Sequence, residues 1–249
     1  SYTEIMNIEF GLLLQAPSPT QILIVGGLFI NLPTKEKALV KINVYFDGGI
    51  DFDEGMWFNA SLVNSELVKI QLFGDIAFRL NWGKNKGFLL SAGGFHPAFK
   101  PDAAFNLGTM ARLGMKIEYD IVKMTFESYF AITSNTVQLG AQVDIKIGWY
   151  NVGLYGYFGF DCLFQFKPFR FIFDVSMVVE SRCGSWTLLS VNLTFSLSGP
   201  AKWNAKGHAK FKILFFPFEV GFNISWGSEH KDSQINYIST YELISNEYF

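Results

Sequence analysis

Residues 137–179 read VQLGAQVDIKIGWYNVGLYGYFGFDCLFQFKPFRFIFDVSMVV, and the fold turns on how this stretch is understood. Val137, Leu139, Ala141, Val143, Ile145, Ile147 and Trp149 take every second position, with Gln138, Gln142, Asp144 and Lys146 between them. Strand side chains point alternately to two faces, whereas helical faces repeat every 3.6 residues, so the pattern is that of a half-buried strand. Tyr150-Asn151 breaks it. Val152, Leu154, Phe158, Phe160, Cys162, Phe164 and Phe166 then share a face, with Tyr155, Tyr157, Asp161 and Gln165 opposite. Lys167-Pro168 turns the chain, and Phe169, Phe171, Phe173, Val175, Met177 and Val179 alternate with Arg170, Asp174 and Ser176. Long strands joined by such short breaks make an antiparallel up-and-down meander.

The rhythm extends both ways. Beyond Cys183-Gly184, Leu189, Val191, Leu193, Phe195 and Leu197 oppose serines, an asparagine and a threonine. Gly199-Pro200 ends that strand; Phe211, Ile213 and Phe215 then oppose Lys206, His208, Lys210 and Lys212, and a last strand carries Phe218 to Trp226. On the N-terminal side, strands are predicted near Glu4–Leu14, Ile22–Leu32, Leu39–Phe46, Ile50–Leu62, Leu67–Leu80 and Gly87–Ala92, with alternation resuming from Met115 to Ile132. The segment from Gly93 to Ala104 is the one long departure, with room for a short helical turn. No Ser-, Pro- or charge-rich linker divides the chain, so a single antiparallel β domain is expected over 1–227, with polar residues 228–249 as a tail or final element. The expected class is all-β: a meander of long strands forming a barrel, a half-barrel groove or a sandwich with a Phe-rich interior.

Composition narrows the function classes. The 249 residues are 49 % hydrophobic and 17 % aromatic, with 27 Phe, and only 17 % charged. Disorder needs the opposite balance. A net charge of −2 excludes a nucleic-acid binder that works by bulk positive charge. The longest apolar run, Ile22 to Ile30, is far shorter than the roughly 18–20 residues of a membrane-spanning helix; strands that cross a bilayer are not tested by this criterion. The chain starts Ser1-Tyr2-Thr3 with no signal-peptide pattern, and reads as a processed chain or a segment of a longer protein. Localisation is otherwise open. Trp82, Trp149, Trp186, Trp203 and Trp226 lie near predicted turns, where large amphipathic rings plug open strand ends or form membrane girdles.

Chemistry-bearing residues are sparse. Asp47, Asp51, Asp53 and Glu54 gather around glycines and could offer oxygens to Ca²⁺, but the spacing fits no calcium loop, and a solvated acidic hairpin is the plainer reading. Lys206, His208, Lys210 and Lys212 line one face of one strand and could meet anionic groups; lysines also protect exposed strands from aggregation. His96, between Phe95 and Pro97, reads as a turn residue bonded to backbone, with Asp102 the nearest acid. Cys162 reads as core filler and Cys183 as a turn residue, both free thiols. Metal sites, cofactors and catalytic residues are not expected: phosphate-loop, dinucleotide, zinc-protease and nucleophile-elbow motifs are all absent. Asn59, Asn192 and Asn223 begin glycosylation patterns but fall inside predicted strands.

Three stretches carry a likeness: Gly93-Gly94-Phe95-His96-Pro97-Ala98-Phe99, Tyr129-Phe130-Ala131-Ile132-Thr133-Ser134-Asn135-Thr136 and Gly199-Pro200-Ala201-Lys202-Trp203. Through them the chain resembles, from about Asp47 to Gly227, a domain of unknown function. That domain occurs in large β-rich, mainly bacterial proteins, some encoded near contractile injection systems. The resemblance implies a module within a longer polypeptide and supplies no catalytic residues.

The expected function is therefore a non-enzymatic binding or structural module. Its apolar face would hold a lipid-like ligand or pack on neighbouring modules, which leaves membrane association open and nucleic acid out. Its lining would come from Val143 and Ile145, then Phe158 and Phe160, then Phe171 and Phe173. Further along follow Val191, Leu193 and Phe195, then Phe211 and Ile213, and finally Phe222. The alternatives are an outer-membrane-type barrel and, behind it, a hydrolase built on the His96 loop.

Overall fold

A computed structural model of the chain describes residues 6–17, 20–34, 38–200 and 202–227. It contains β1 (Met6–Gln15), β2 (Gln21–Leu32), β3 (Val40–Asp51), β4 (Gly55–Leu67), β5 (Ile70–Asn81), β6 (Gly87–Ala92) and β7 (Leu113–Tyr119). There follow β8 (Val122–Thr133), β9 (Thr136–Trp149), β10 (Val152–Gln165), β11 (Arg170–Cys183), β12 (Trp186–Gly199), β13 (Trp203–Ile213) and β14 (Phe216–Trp226). The helical turn allowed for in the long loop is a single 3-10 turn, Ala103–Phe105, capped by Asp102. The polar stretch 228–249 and the first residues of the predicted Glu4–Leu14 strand lie outside the described residues.

All fourteen strands form one antiparallel sheet in sequence order, the meander read from the alternation. The exception is local. β6 and β7 share one track between β5 and β8: β6 pairs the far half of β5, the chain leaves the sheet from Gly93 to Arg112, and β7 returns to pair Ile70–Phe73. β1 and β14 are the sheet's two ends, each with one partner among the described strands. Strand limits moved mainly where glycine obscured the pattern. The predicted break between Phe46 and Ile50 is absent: Asp47–Asp51 continue β3, paired to Gly55–Asn59, and the turn is Phe52–Glu54. Gly48 and Gly49 sit where a Cβ would meet Phe58 and Trp57, so large neighbours cover the strand there. Cys183 likewise ends β11 and is not in the turn itself.

The registers sort the side chains cleanly. One face runs from Leu12 and Ile24 through Phe58, Phe78, Val137 and Phe160 to Phe195 and Phe222. Every Asp, Glu, Lys and Arg of the described strands lies on the other face, including Glu9, Asp75, Glu127, Asp174 and Lys212. The apolar face is lined with cross-strand ring contacts, among them Phe164–Phe171, Phe173–Phe195 and the stacked Trp203–Trp226 pair.

The tightest packing lies on the polar face, a departure from the expected Phe-rich interior. Asn59, Ala77, Ser91, Ala131, Gln138, Leu163, Ile172 and Ser198 form one row across the sheet. Segment 93–112 lies over that row, and Ser91, Ala131 and Gln138 are completely buried. Small side chains in the row let the covering segment approach. Phenylalanines on the apolar face have no second layer above them among the described residues; Phe158 stays 44 % and Phe222 47 % exposed.

Candidate functional site

On the apolar face, β10 to β14 bring most of the predicted lining residues together. Phe158 lies beside Val143 on one side and Met177 on the other, and Phe195 beside Val175 and Gly207. β13 supplies only Gly207 and Ala209 where its neighbours carry Leu193, Phe195, Val220 and Phe222, and this small floor opens a groove of about 380 Å³. A Cβ on Gly207 would collide with the Phe222 ring, so glycine is what lets that ring lie across the strand.

Other predicted lining residues extend the same surface without entering the groove. Phe160 and Phe173 have ring centroids 6.4 Å apart, and Phe171 lies 6.2 Å from Trp203. Val191 pairs with Phe211, whose ring meets Phe218. Ile145 stands opposite Gly156, and Ile213, 59 % exposed, lies at the strand end. Cys162 is buried on this face and burial pushes its thiol up. Cys183 is exposed about ten residues along the sheet, roughly 33 Å away, and both are free.

The basic stripe occupies the reverse face of β13. His208 Nε2 meets Glu219 Oε1 at 2.5 Å and Lys210 Nζ lies 3.6 Å from Glu219 Oε2. The His208 hydrogen bond, with Lys210 nearby, holds the Glu219 carboxyl below its usual range. Lys206 pairs with Asn223 and Lys212 with Pro217, so two of the four basic positions are answered by one carboxylate. This charge stands across the sheet from the apolar groove, where it cannot meet the head group of a molecule lying in it.

Of the acidic residues, Asp47, Asp51 and Glu54 border one cavity, but they do not converge on a common point. Asp47 accepts from Asn59 Nδ2 at 3.0 Å. Asp51 caps the turn, accepting from the Asp53 and Glu54 amides and from Gln21 Nε2 at 2.6 Å. The Gln21 bond and those amides hold its carboxyl below the ordinary range. Asp53 and Glu54 are exposed in the turn. Among the described residues no three His, Cys, Asp or Glu side chains are placed to hold a metal ion.

His96 is buried under its own loop. Its amide donates to Gln138 Oε1 at 2.9 Å, and Nδ1 accepts from the Ala98 amide at 3.0 Å, as a turn histidine should. Nε2 is buried without a hydrogen-bond partner. Asp102, the nearest acid in sequence, spends its carboxylate on the Ala104 amide of the 3-10 turn. The same loop is fastened by Arg112, which stacks 4.0 Å over the Tyr129 ring and donates to Gly93 O. Tyr129 donates to Asp161 at 2.7 Å. Neither Arg112 nor Tyr129 carries a sequence signal of its role, because both depend on where a 20-residue excursion lands.

A sequence model of a family of unknown function, DUF6603, matches residues 1–245, beyond both ends of the likeness seen in the motifs. No curated protein matches the chain, and no solved structure does. No described helix is long and apolar enough to cross a membrane.

Proposed function

The chain belongs to the DUF6603 family, whose function is unknown, and we propose that it works as a non-enzymatic β module holding the acyl chains of lipid molecules on its apolar face. One observation carries this reading: among the described strands, a face shared by every track of the sheet has no charged side chain, while the reverse face has them all. Water gains nothing from such a face, and each methylene laid against it contributes about 0.8 kcal/mol. The groove over Gly207 and Ala209 gives a chain its deepest seat.

Aromatic rings at both strand ends, Trp149 and Trp186 at one and Trp203 and Trp226 at the other, favour a second reading, a barrel wall in a bilayer. Against it stand the two sheet edges. Unpaired backbone groups are not tolerated in hydrocarbon, so β1 and β14 would each need another partner, whereas a lipid-holding groove leaves them in water.

Purification without detergent, native mass spectrometry and organic extraction test the proposal. A dispersed chain carrying extractable lipid is expected, with less lipid in Gly207→Val, which fills the groove floor. A dispersed, lipid-free chain would assign the face to packing against protein, and a chain that disperses only in detergent would favour the bilayer wall.

A further inference from the structure

The polar face holds a second cavity, about 500 Å³, walled by β3, β4 and β5 and roofed by the 3-10 turn. Three facing positions are nearly bare: Gly49, Gly55 and Ala77. A Cβ at Gly49 would press on the Trp57 indole, so the ring lies down over the strand backbone there. Arg79, opposite Trp57 and 7 % exposed, approaches the same ring at 5.9 Å and is locked by bonds to the Phe105, Phe58 and Phe78 carbonyls. The arrangement is thus rigid before anything binds.

The polar groups around that indole are mixed in kind. Asp47 uses Oδ2 for Asn59, leaving Oδ1 without a hydrogen bond to the described residues. The Glu54 carboxylate and the Asn81 and Asn106 carboxamides also line the space. A cation would call for acceptors alone and would be repelled by the guanidinium, while an anion would be repelled by Asp47, Asp51 and Glu54. Hydroxyl groups both donate and accept, and a ring bearing several of them, with an apolar C–H face, matches carboxylates, carboxamides and an aromatic platform together. The volume lies in the range of small-molecule pockets. We propose that this cavity binds a neutral saccharide, with the indole of Trp57 as the platform under the sugar ring and Asp47 and Asn59 as the pair that reads adjacent hydroxyls. The proposal is independent of lipid on the opposite face.

Saturation-transfer NMR on the purified full chain tests it, with maltose, cellobiose and chitobiose as probes and tetramethylammonium chloride as control, and with calcium chloride titrated in parallel by calorimetry. Transfer to at least one sugar is expected. Trp57→Ala and Asn59→Ala should weaken that sugar's affinity about tenfold or more, the equivalent of one lost stacking or hydrogen-bonding contact. Trp57→Phe should keep most of it, which separates loss of the platform from loss of the fold. No transfer from any of the three sugars, transfer unchanged in both alanine variants, or binding of the cations alone would overturn the assignment.

Discussion

At His96 the fold withdraws a titratable group from water and leaves one of its nitrogens unanswered. Because Nδ1 accepts from the Ala98 amide, the proton of the neutral ring sits on Nε2. Burial lowers the imidazole from its ordinary 6.5; Asp161 and Asp174 pull the other way, and Arg112 and Arg170 reinforce the lowering. The sign follows from linkage: below the unfolded value the unfolded chain takes up a proton that the folded chain refuses. Stability from this site is complete above 6.5 and is lost as pH falls through the interval down to the folded value. Melting temperatures measured from about pH 7.5 to about pH 5 should fall more steeply for the natural chain than for His96→Gln. Equal slopes would show that the loop opens and lets the imidazole titrate freely.

Among the elements, the segment between β6 and β7 is the one whose path had to be built and could not be inferred. Gly93, where it leaves the sheet, has φ +78°, and a Cβ there would strike the Ser128 carbonyl and the Leu113 amide. Both obstacles are backbone, so they cannot step aside. Gly93→Ala should cost about 1–3 kcal/mol in chemical denaturation, whereas the same change at Gly184, with nothing near its Cβ position, meets only the strain of a positive φ. The strands themselves are legible because alternation is a two-residue rule that needs no distant information: β9 to β14 follow it closely, with Leu163, Ile172 and Val178 as apolar exceptions on the polar face. At Gly48-Gly49 the rule falls silent, since glycine has no side chain to alternate, and the pattern suggests a break where β3 runs on to Asp51. Gln138 shows the deeper limit. It reads as a polar, outward residue of β9 and is completely buried, because the loop that covers it comes from some 40 residues upstream. The Trp57 cavity is illegible for the same reason: its walls include a tryptophan, asparagines and an arginine that look unrelated until the registers of β3, β4 and β5 place them side by side.

At the scale of the whole sheet, the described residues place no second layer over the apolar face. Nor can the described strands supply that layer by closing on themselves in the pattern they use throughout. With β6 and β7 sharing a track there are thirteen tracks, an odd number, so β1 and β14 run in the same direction and would meet in parallel. If, as proposed, lipid covers the apolar face, it binds only the folded sheet. A ligand held at a hundred times its dissociation constant adds about 2.7 kcal/mol to stability. If lipid is the cover, gentle removal of lipid should lower the unfolding temperature and drive the chain into aggregates, because Phe158, Phe195 and Phe222 then face water together. Re-addition of phospholipid should restore both the temperature and the monodisperse species. Scanning calorimetry and light scattering on the same preparation read the two effects at once. An unfolding temperature unmoved by extraction would mean that the face is satisfied without lipid, by protein laid against it.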